Sequence, residues 1–237
     1  MGRAHEGRAK KMAATSAAKS ALYMRASKEI YIAAKSGEPD PNANLALRAV
    51  LEKYKGKGVT KEVIDRAIQK AKGGETTACE SGRYEGFGPG GTSIIVDTLT
   101  DNVRRAYDQV RLCFTKKGGH LGTPGSVSFN FVSAGVIEFE GTNRDEVEET
   151  LIMSDVDVNS VELDEDTIIV NVEPSALNAA KECLAEMGIE EFLTCEVTLV
   201  PNDYVTLEGE DKEKFEMLLD VLEELEDVQN VYHNVKL

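Results

Sequence analysis

Between Met1 and Lys72 the chain carries 16 Lys and Arg residues against seven Asp and Glu. Ammonium and guanidinium groups at that excess suit one kind of partner, a polyanion, because seven carboxylates cannot neutralise sixteen cations and a positive surface must remain. Arg3, Arg8, Lys10, Lys11, Lys19, Arg25, Lys28 and Lys35 follow one another with only Glu6 and Glu29 opposing them. Lys53, Lys55, Lys57, Lys61, Arg66, Lys70 and Lys72 form a second group. Lys and Ala dominate this stretch, which suits contact with a phosphate backbone better than readout of base edges by Arg, Asn or Gln.

Every other chemistry the sequence suggests lacks a part. Gly86-Phe-Gly-Pro-Gly-Gly91 matches G-x-G-x-x-G literally. Its glycines precede a strand pattern instead of opening a helix, so no helix N-terminus follows to meet a phosphate. Two roles stay open for this turn. Its glycines supply positive φ on entry to the strand at Thr92, with the neighbouring aromatics capping the sheet, or Tyr84, Phe87 and Arg83 stack on splayed bases. In the second Gly cluster, Gly118 to Gly125, His120 stands six residues from the Ser126 hydroxyl, but neither an orienting carboxylate nor a nucleophile elbow accompanies them. His5, His120 and His233 are far apart and have no Cys or carboxylate at ligand spacing. The acidic runs Asp164-Glu-Asp166 and Glu223 to Asp227 lack the interleaved Gly of a calcium loop. The expectation is a non-enzymatic protein without metal or cofactor.

The elements that must present the cations follow from periodicity. Lys10 to Lys35 is Ala-rich and free of Gly and Pro, with Leu22, Tyr23, Ala26, Ile30 and Ala33 at helical spacing. Gly37-Glu-Pro-Asp-Pro ends that helix. A second helix runs from about Asn44 to Lys55, and a third, N-capped by Thr60, places Val63, Ile64, Ala67, Ile68 and Ala71 on one stripe before Gly73-Gly74. Beyond Gly74 the period shifts towards 2. Thr92 to Asp97 reads as a strand, Val103 to Phe114 as a helix and Ser126 to Phe131 as a strand, one βαβ unit. Gly135 to Val200 then reads βαββαβ, the split βαβ order, and Tyr204 to Val235 gives another βαβ unit. Two incomplete units flanking a complete block suggest that the flanking pieces pair with each other. The expected architecture is α+β, with an N-terminal helical bundle and two ferredoxin-like (βαββαβ) α/β domains, one inserted into the other. The domains are 1–75 (basic, helical), 76–132 with 203–237 (discontinuous), and 133–202 (inserted, acidic), with crossings at Ser133-Ala-Gly135 and Pro201-Asn-Asp203.

The formal charge of the 237-residue chain is −15, yet residues 131–237 alone hold 29 acidic and five basic residues. At physiological salt the Debye length is about 8 Å, so acidic domains tens of ångströms away leave a basic head free to bind locally. Four cysteines without paired spacing and the absence of an apolar run near the roughly 18 residues of a membrane span point to a cytoplasmic protein with no membrane partner.

Several motifs in order are similar to the YebC/PmpR family. They are Asn44-Leu-Ala-Leu-Arg-Ala after Gly37-Glu-Pro-Asp-Pro, Val63-Ile-Asp-Arg-Ala-Ile, Tyr84-Glu-Gly-Phe-Gly-Pro-Gly-Gly-Thr, Thr100-Asp-Asn-Val-Arg-Arg, and Gly118-Gly-His-Leu-Gly with Gly125-Ser-Val. The resemblance implies three domains around a cleft and no enzyme activity. It implies a DNA-binding transcriptional regulatory protein. The alternative is a ribosome-associated translation factor that binds rRNA or tRNA, since a mitochondrial relative activates translation. The Trp of the family's opening segment is absent here, and the chain contains none. The family's Asp-Asn-Arg-Asn-Arg-like stretch corresponds to Asp101-Asn-Val-Arg-Arg, which brings Arg104 and Arg105 forward. The candidate nucleic-acid contacts are therefore Arg3, His5, Arg8, Lys10, Lys11, Lys19, Arg25, Lys28, Lys35, Arg48, Arg66, Arg104 and Arg105. Tyr84, Phe87, Gly88, Gly90 and Gly91 make an auxiliary loop.

Overall fold

The computed structural model describes residues 16–73 and 79–236. The start of the first helix at Lys10 and the domain limit at residue 75 lie outside them. The fold is α+β. Residues 131–202 form one compact unit, and the described residues up to Asn130, with those from Asp203 onward, form the other.

In the second of these, three helices come first: α1 (Ser16–Lys35), α2 (Leu45–Tyr54) and α3 (Lys61–Lys72). Small residues let them approach closely. Ala26, Ile30, Tyr31, Ala33 and Ala34 of α1 are buried against Leu47 and Tyr54 of α2 and Ala67 and Ala71 of α3. Asn44 fixes the turn between α1 and α2. Its Oδ1 accepts the Leu47 N–H at 3.0 Å, and its Nδ2 donates to the carbonyls of Ala33 at 2.8 Å and Glu38 at 3.0 Å. One side chain thus caps α2 and ties down the end of α1.

A four-stranded sheet of order β3-β1-β2-β9 follows, built from β1 (Glu80–Phe87), β2 (Ser93–Thr100), β3 (His120–Leu121) and β9 (Val228–His233), with every neighbouring pair antiparallel. Helices α4 (Val103–Lys116) and α7 (Gly209–Glu223) pack on it, and Phe114, Phe215, Leu218, Leu219 and Leu222 join Ile94 and Val96 in the core. β2-α4-β3 is a split βαβ with β1 between its strands, so the sheet has the expected geometry in a different chain order. Two local expectations are corrected. Glu80–Phe87, to which no element was assigned from the sequence, is a full strand paired with β2 over eight residues. Of Ser126–Phe131, read as a strand, only Phe131 lies in one, as the first residue of the strand that follows, and Ser128–Asn130 form a turn of 3₁₀ helix. The cause is Glu85, whose buried carboxylate accepts the N–H groups of Gly125, Val127 and Ser128, each at 2.8 Å, and curls the segment away from the sheet edge. β8 (Val205–Thr206) and β10 (Val235–Lys236) form a separate parallel pair.

The unit of residues 131–202 has β4 (Phe131–Glu140), α5 (Arg144–Met153), β5 (Val158–Asp164), β6 (Thr167–Val172), α6 (Leu177–Glu186) and β7 (Thr194–Pro201). Its antiparallel sheet has order β5-β6-β4-β7, the ferredoxin-like arrangement read from the sequence. Ile137, Phe139, Ile168 and Val170 meet Val147, Leu151, Ala180 and Leu184 of the two helices. Among the described residues no helix is long and apolar enough to cross a membrane.

Candidate nucleic-acid interface

Five of the expected contacts, Arg3, His5, Arg8, Lys10 and Lys11, lie outside the described residues. The others divide into two groups with opposite surroundings.

Lys28 and Arg25 are partly buried, and Arg105, its side chain 45% exposed, is tied to the same junction. The Asp227 side chain, 4% exposed, takes Lys28 Nζ at 2.6 Å on Oδ1 and Arg105 Nη2 at 2.8 Å on Oδ2. Lys28 also donates to the carbonyls of Leu99 at 3.1 Å and Glu226 at 3.0 Å, which satisfies all three ammonium protons. Arg105 reaches Asp101 at 2.7 Å as well. Arg25 donates to the Glu223 carbonyl. Burial pushes the Asp227 carboxyl up, but the hydrogen bonds from Lys28 and Arg105 outweigh it and hold the group below the usual carboxylate range. The same contacts, Asp227 first and then Asp101, raise Arg105. Arg25 is lowered by burial, opposed by Glu223. These three cations clamp α1 to the β2–α4 corner and the end of α7, which commits Lys28 and Arg25 to the fold and leaves Arg105 ion-paired but half exposed. A cleft of about 480 Å³ opens beside them between Met24, Lys28, Asp101, Arg105 and Gln109. Asp227 and Asp101 in its walls are paired with Lys28 and Arg105, while Glu224 and Glu226 add two further acidic residues to the lining.

On the outer side of the head the cations are exposed. Lys55 and Lys57 stand on the α2–α3 turn, alternating with Gly56 and Gly58 at φ 78° and 81°. With nothing near either glycine, they serve only the left-handed backbone that turns the chain and sets the lysines outward. Lys35 at the end of α1 and Lys61, Lys70 and Lys72 on α3 are also exposed, and among the described residues none of these six lysines has a carboxylate partner. Lys70 lies 5.5 Å from the Tyr31 ring centroid and Lys19 lies 5.7 Å from that of Tyr23, ring contacts that leave the charge in place. Arg66 pairs with Glu62 one turn away at 2.5 Å, both largely in solvent, and Arg48 braces the carbonyls of Pro41 and Asn42. Lys53 alone in this group is half-buried, held by Glu29 at 3.1 Å.

The Gly-rich loop is occupied by packing. At Gly86 a Cβ would fall 2.6 Å from Phe114 Cε1, and at Gly90, φ 68°, it would fall 2.6 Å from Leu207 Cδ2. Gly88 lies against Thr92 and Ile94, and Gly91 also has positive φ, at 74°. Phe87 stacks on His120 with centroids 5.3 Å apart, and Tyr84 meets Tyr107 at 5.9 Å. Glu85, which sequence reasoning missed, organises the adjoining loop. Burial raises its carboxyl, the three backbone N–H groups lower it, and the net shift is downward. Arg104 on the outer face of α4 is open to solvent, as is Arg111, which was not singled out although it stands two helical turns beyond Arg104. His233 is fixed between Phe215 and the Val235 N–H, and the described residues contain no His, Cys, Asp and Glu grouping able to hold a metal.

Comparison with known proteins places this arrangement. Residues 3–74 match the family model of the TACO1/YebC protein N-terminal domain, and residues 79–235 match that of the TACO1/YebC second and third domain. The chain belongs to the TACO1/YebC family. A relative from Mesoplasma florum, named a probable transcriptional regulatory protein, is 53% identical over 236 residues and covers 99% of both chains. A crystal structure of a conserved hypothetical protein from Aquifex aeolicus superposes with a TM-score of 0.78 at 34% identity, covering 93% of this chain and 91% of that one. The regulatory role is thus a family-level assignment, and the exposed lysines are the feature of this chain to set beside it.

Proposed function

We propose that this protein is a non-enzymatic, DNA-binding regulator of transcription that meets the duplex backbone with the outer face of its helical head. The observation that carries the reading is the exposed group Lys55, Lys57, Lys61, Lys70 and Lys72, without carboxylate partners among the described residues, on a scaffold clamped in place by Lys28 and Asp227. The name of the Mesoplasma florum relative supports the regulatory part. Lysines suit phosphate contact, so the head supplies affinity and orientation. Lys61 and Lys72 fall on one side of α3 and Arg66 and Lys70 on another, so with Lys35 and Arg48 the exposed cations are spread round the head, while Arg25, Lys28 and Arg105 hold it together. The intracellular, cytoplasmic setting expected from the cysteines accords with such a role.

The test is fluorescence anisotropy with a labelled duplex from the region upstream of a regulated gene, against a scrambled duplex and excess competitor DNA. The full chain is expected to prefer the upstream duplex, and engaging six phosphates would cost about 10³-fold in affinity between 50 and 200 mM salt. The triple substitution Lys55→Gln, Lys57→Gln, Lys61→Gln is expected to weaken binding at least about tenfold. Equal affinity for unrelated duplexes would contradict sequence-directed regulation. Unchanged affinity in the triple variant would move the contact off this face.

A further inference from the structure

A second cationic surface lies outside the head. On α4 the positions Arg104, Tyr107 and Arg111 are spaced i, i+3 and i+7, which puts them within about 60° of one another on the helix surface and spreads the two arginines roughly 10 Å along the axis. All three are exposed, Arg104 at 91% and Tyr107 at 40%. The adjoining face, Ala106, Val110 and Phe114, centred about 90° round the helix, is buried in the sheet core, so Tyr107 stands at the boundary between core and solvent. Asp108, the one acidic residue of α4, faces Arg104 Nε from 3.9 Å, both side chains being mostly in solvent, a separation at which an exposed pair holds little. Arg111 has no ion pair among the described residues. Tyr107 is braced from behind by the Tyr84 ring, centroids 5.9 Å apart and tilted 57°.

We infer that this stripe binds an unpaired DNA strand, with phosphates on Arg104 and Arg111 and a base against the Tyr107 ring. The alternation is what a single strand requires: guanidinium groups for the backbone and between them an aromatic ring with an exposed edge, supported by a second ring. The distance between the arginines corresponds to about three stacked nucleotides at 3.4 Å of rise each. A duplex keeps its base faces stacked inside and would leave Tyr107 against water or sugar. A protein segment would need acidic side chains for the arginines and would gain little from so narrow an apolar strip. Asp108 and the tyrosine hydroxyl are both able to meet a ribose 2′-hydroxyl, so the choice of DNA over RNA is taken from the DNA-binding reading above. The inference rests on the DNA-binding reading above and extends it: the head holds duplex, and α4 holds a strand that has come out of one.

The experiment measures the anisotropy of labelled 12-nucleotide oligothymidylate, of oligouridylate and of a 20-base-pair duplex with the full chain and three variants. Arg104→Gln with Arg111→Gln is expected to weaken oligothymidylate binding about tenfold and to reduce the salt slope by about 1.4, two phosphates on a single strand, while duplex affinity stays within about twofold. Tyr107→Leu, which keeps an apolar contact for Tyr84, is expected to lower oligothymidylate affinity about fivefold or more with no change of salt slope. Lys55→Gln with Lys57→Gln is expected to weaken duplex binding. All substituted positions are exposed, and coincident thermal melts establish that the fold is intact. Oligothymidylate affinity within twofold of the parent in both α4 variants would overturn the inference and leave the face to a protein. Loss confined to oligouridylate would overturn the DNA assignment. A parent chain that binds none of the three probes would remove the DNA-binding reading itself, and this inference with it.

Discussion

The junction around Asp227 and the outer face of the head are built from the same residue types with opposite consequences. At the junction Lys28 and Arg105 converge on one carboxylate that is 4% exposed, and the cations act as bolts. On the outer side Lys55 and Lys57 have solvent around them, and Lys61 and Lys72 are exposed beside a cleft they share with Asp40 and Asp65 without an ion pair among the described residues. The difference teaches that a count of cations overstates the binding surface. A cation with its protons satisfied inside the fold contributes stability, whereas one with only water for a partner contributes field.

The largest expected effect sharpens that contrast at the bolt. Asp227→Ala leaves Lys28 and Arg105 without their carboxylate and is expected to lower stability by about 3 kcal/mol, near the bottom of the range for broken buried pairs because Arg105 is half in solvent. Chemical denaturation measures it, and a loss under 0.5 kcal/mol would mean the junction is not a bolt. Glu85→Gln replaces one acceptor oxygen by a donor facing backbone N–H groups. A loss of about 2 kcal/mol and faster amide exchange at Val127 and Ser128 are expected. Acid should act on both sites together. Asp227 and Glu85 are held below their ordinary range in the folded chain, so their stabilisation is complete above about pH 4.5 and is lost as the pH falls through their folded values. Denaturation midpoints from pH 6 to 3 should therefore fall, and the Asp227→Ala variant should fall less steeply. Smallest of all, Arg66→Gln removes an exposed pair with Glu62 and is expected to change stability by no more than about 0.5 kcal/mol. A larger loss would show that the outer face is structural too.

Much of this was legible in the sequence, for reasons that are local. Helix α3 follows from the Ala67 and Ala71 stripe, although Thr60 at its N-cap position makes no side-chain capping bond, while the capping role of Asn44 on α2 was not read; the 131–202 block follows from its alternation of β-branched runs with helical spacing. Strand β1 was hidden because Gly82 and Gly86 look like turn residues. Gly86 is there because Phe114 presses on the strand, a contact between positions 28 apart. The 3₁₀ turn at Ser128–Asn130 was hidden because its cause is a carboxylate 42 and 43 residues upstream. The fate of the cations was least legible. Nothing near Lys28 in the sequence distinguishes it from Lys35, yet its partner Asp227 is 199 residues away.

The most direct test is photochemical crosslinking of the full chain to bound duplex DNA, followed by mass spectrometry of the attached peptides. The account predicts crosslinks between Lys35 and Lys72 and none at Arg25 or Lys28. Crosslinks concentrated in residues 131–202, or on the Lys28 and Arg105 side of the head, would contradict it.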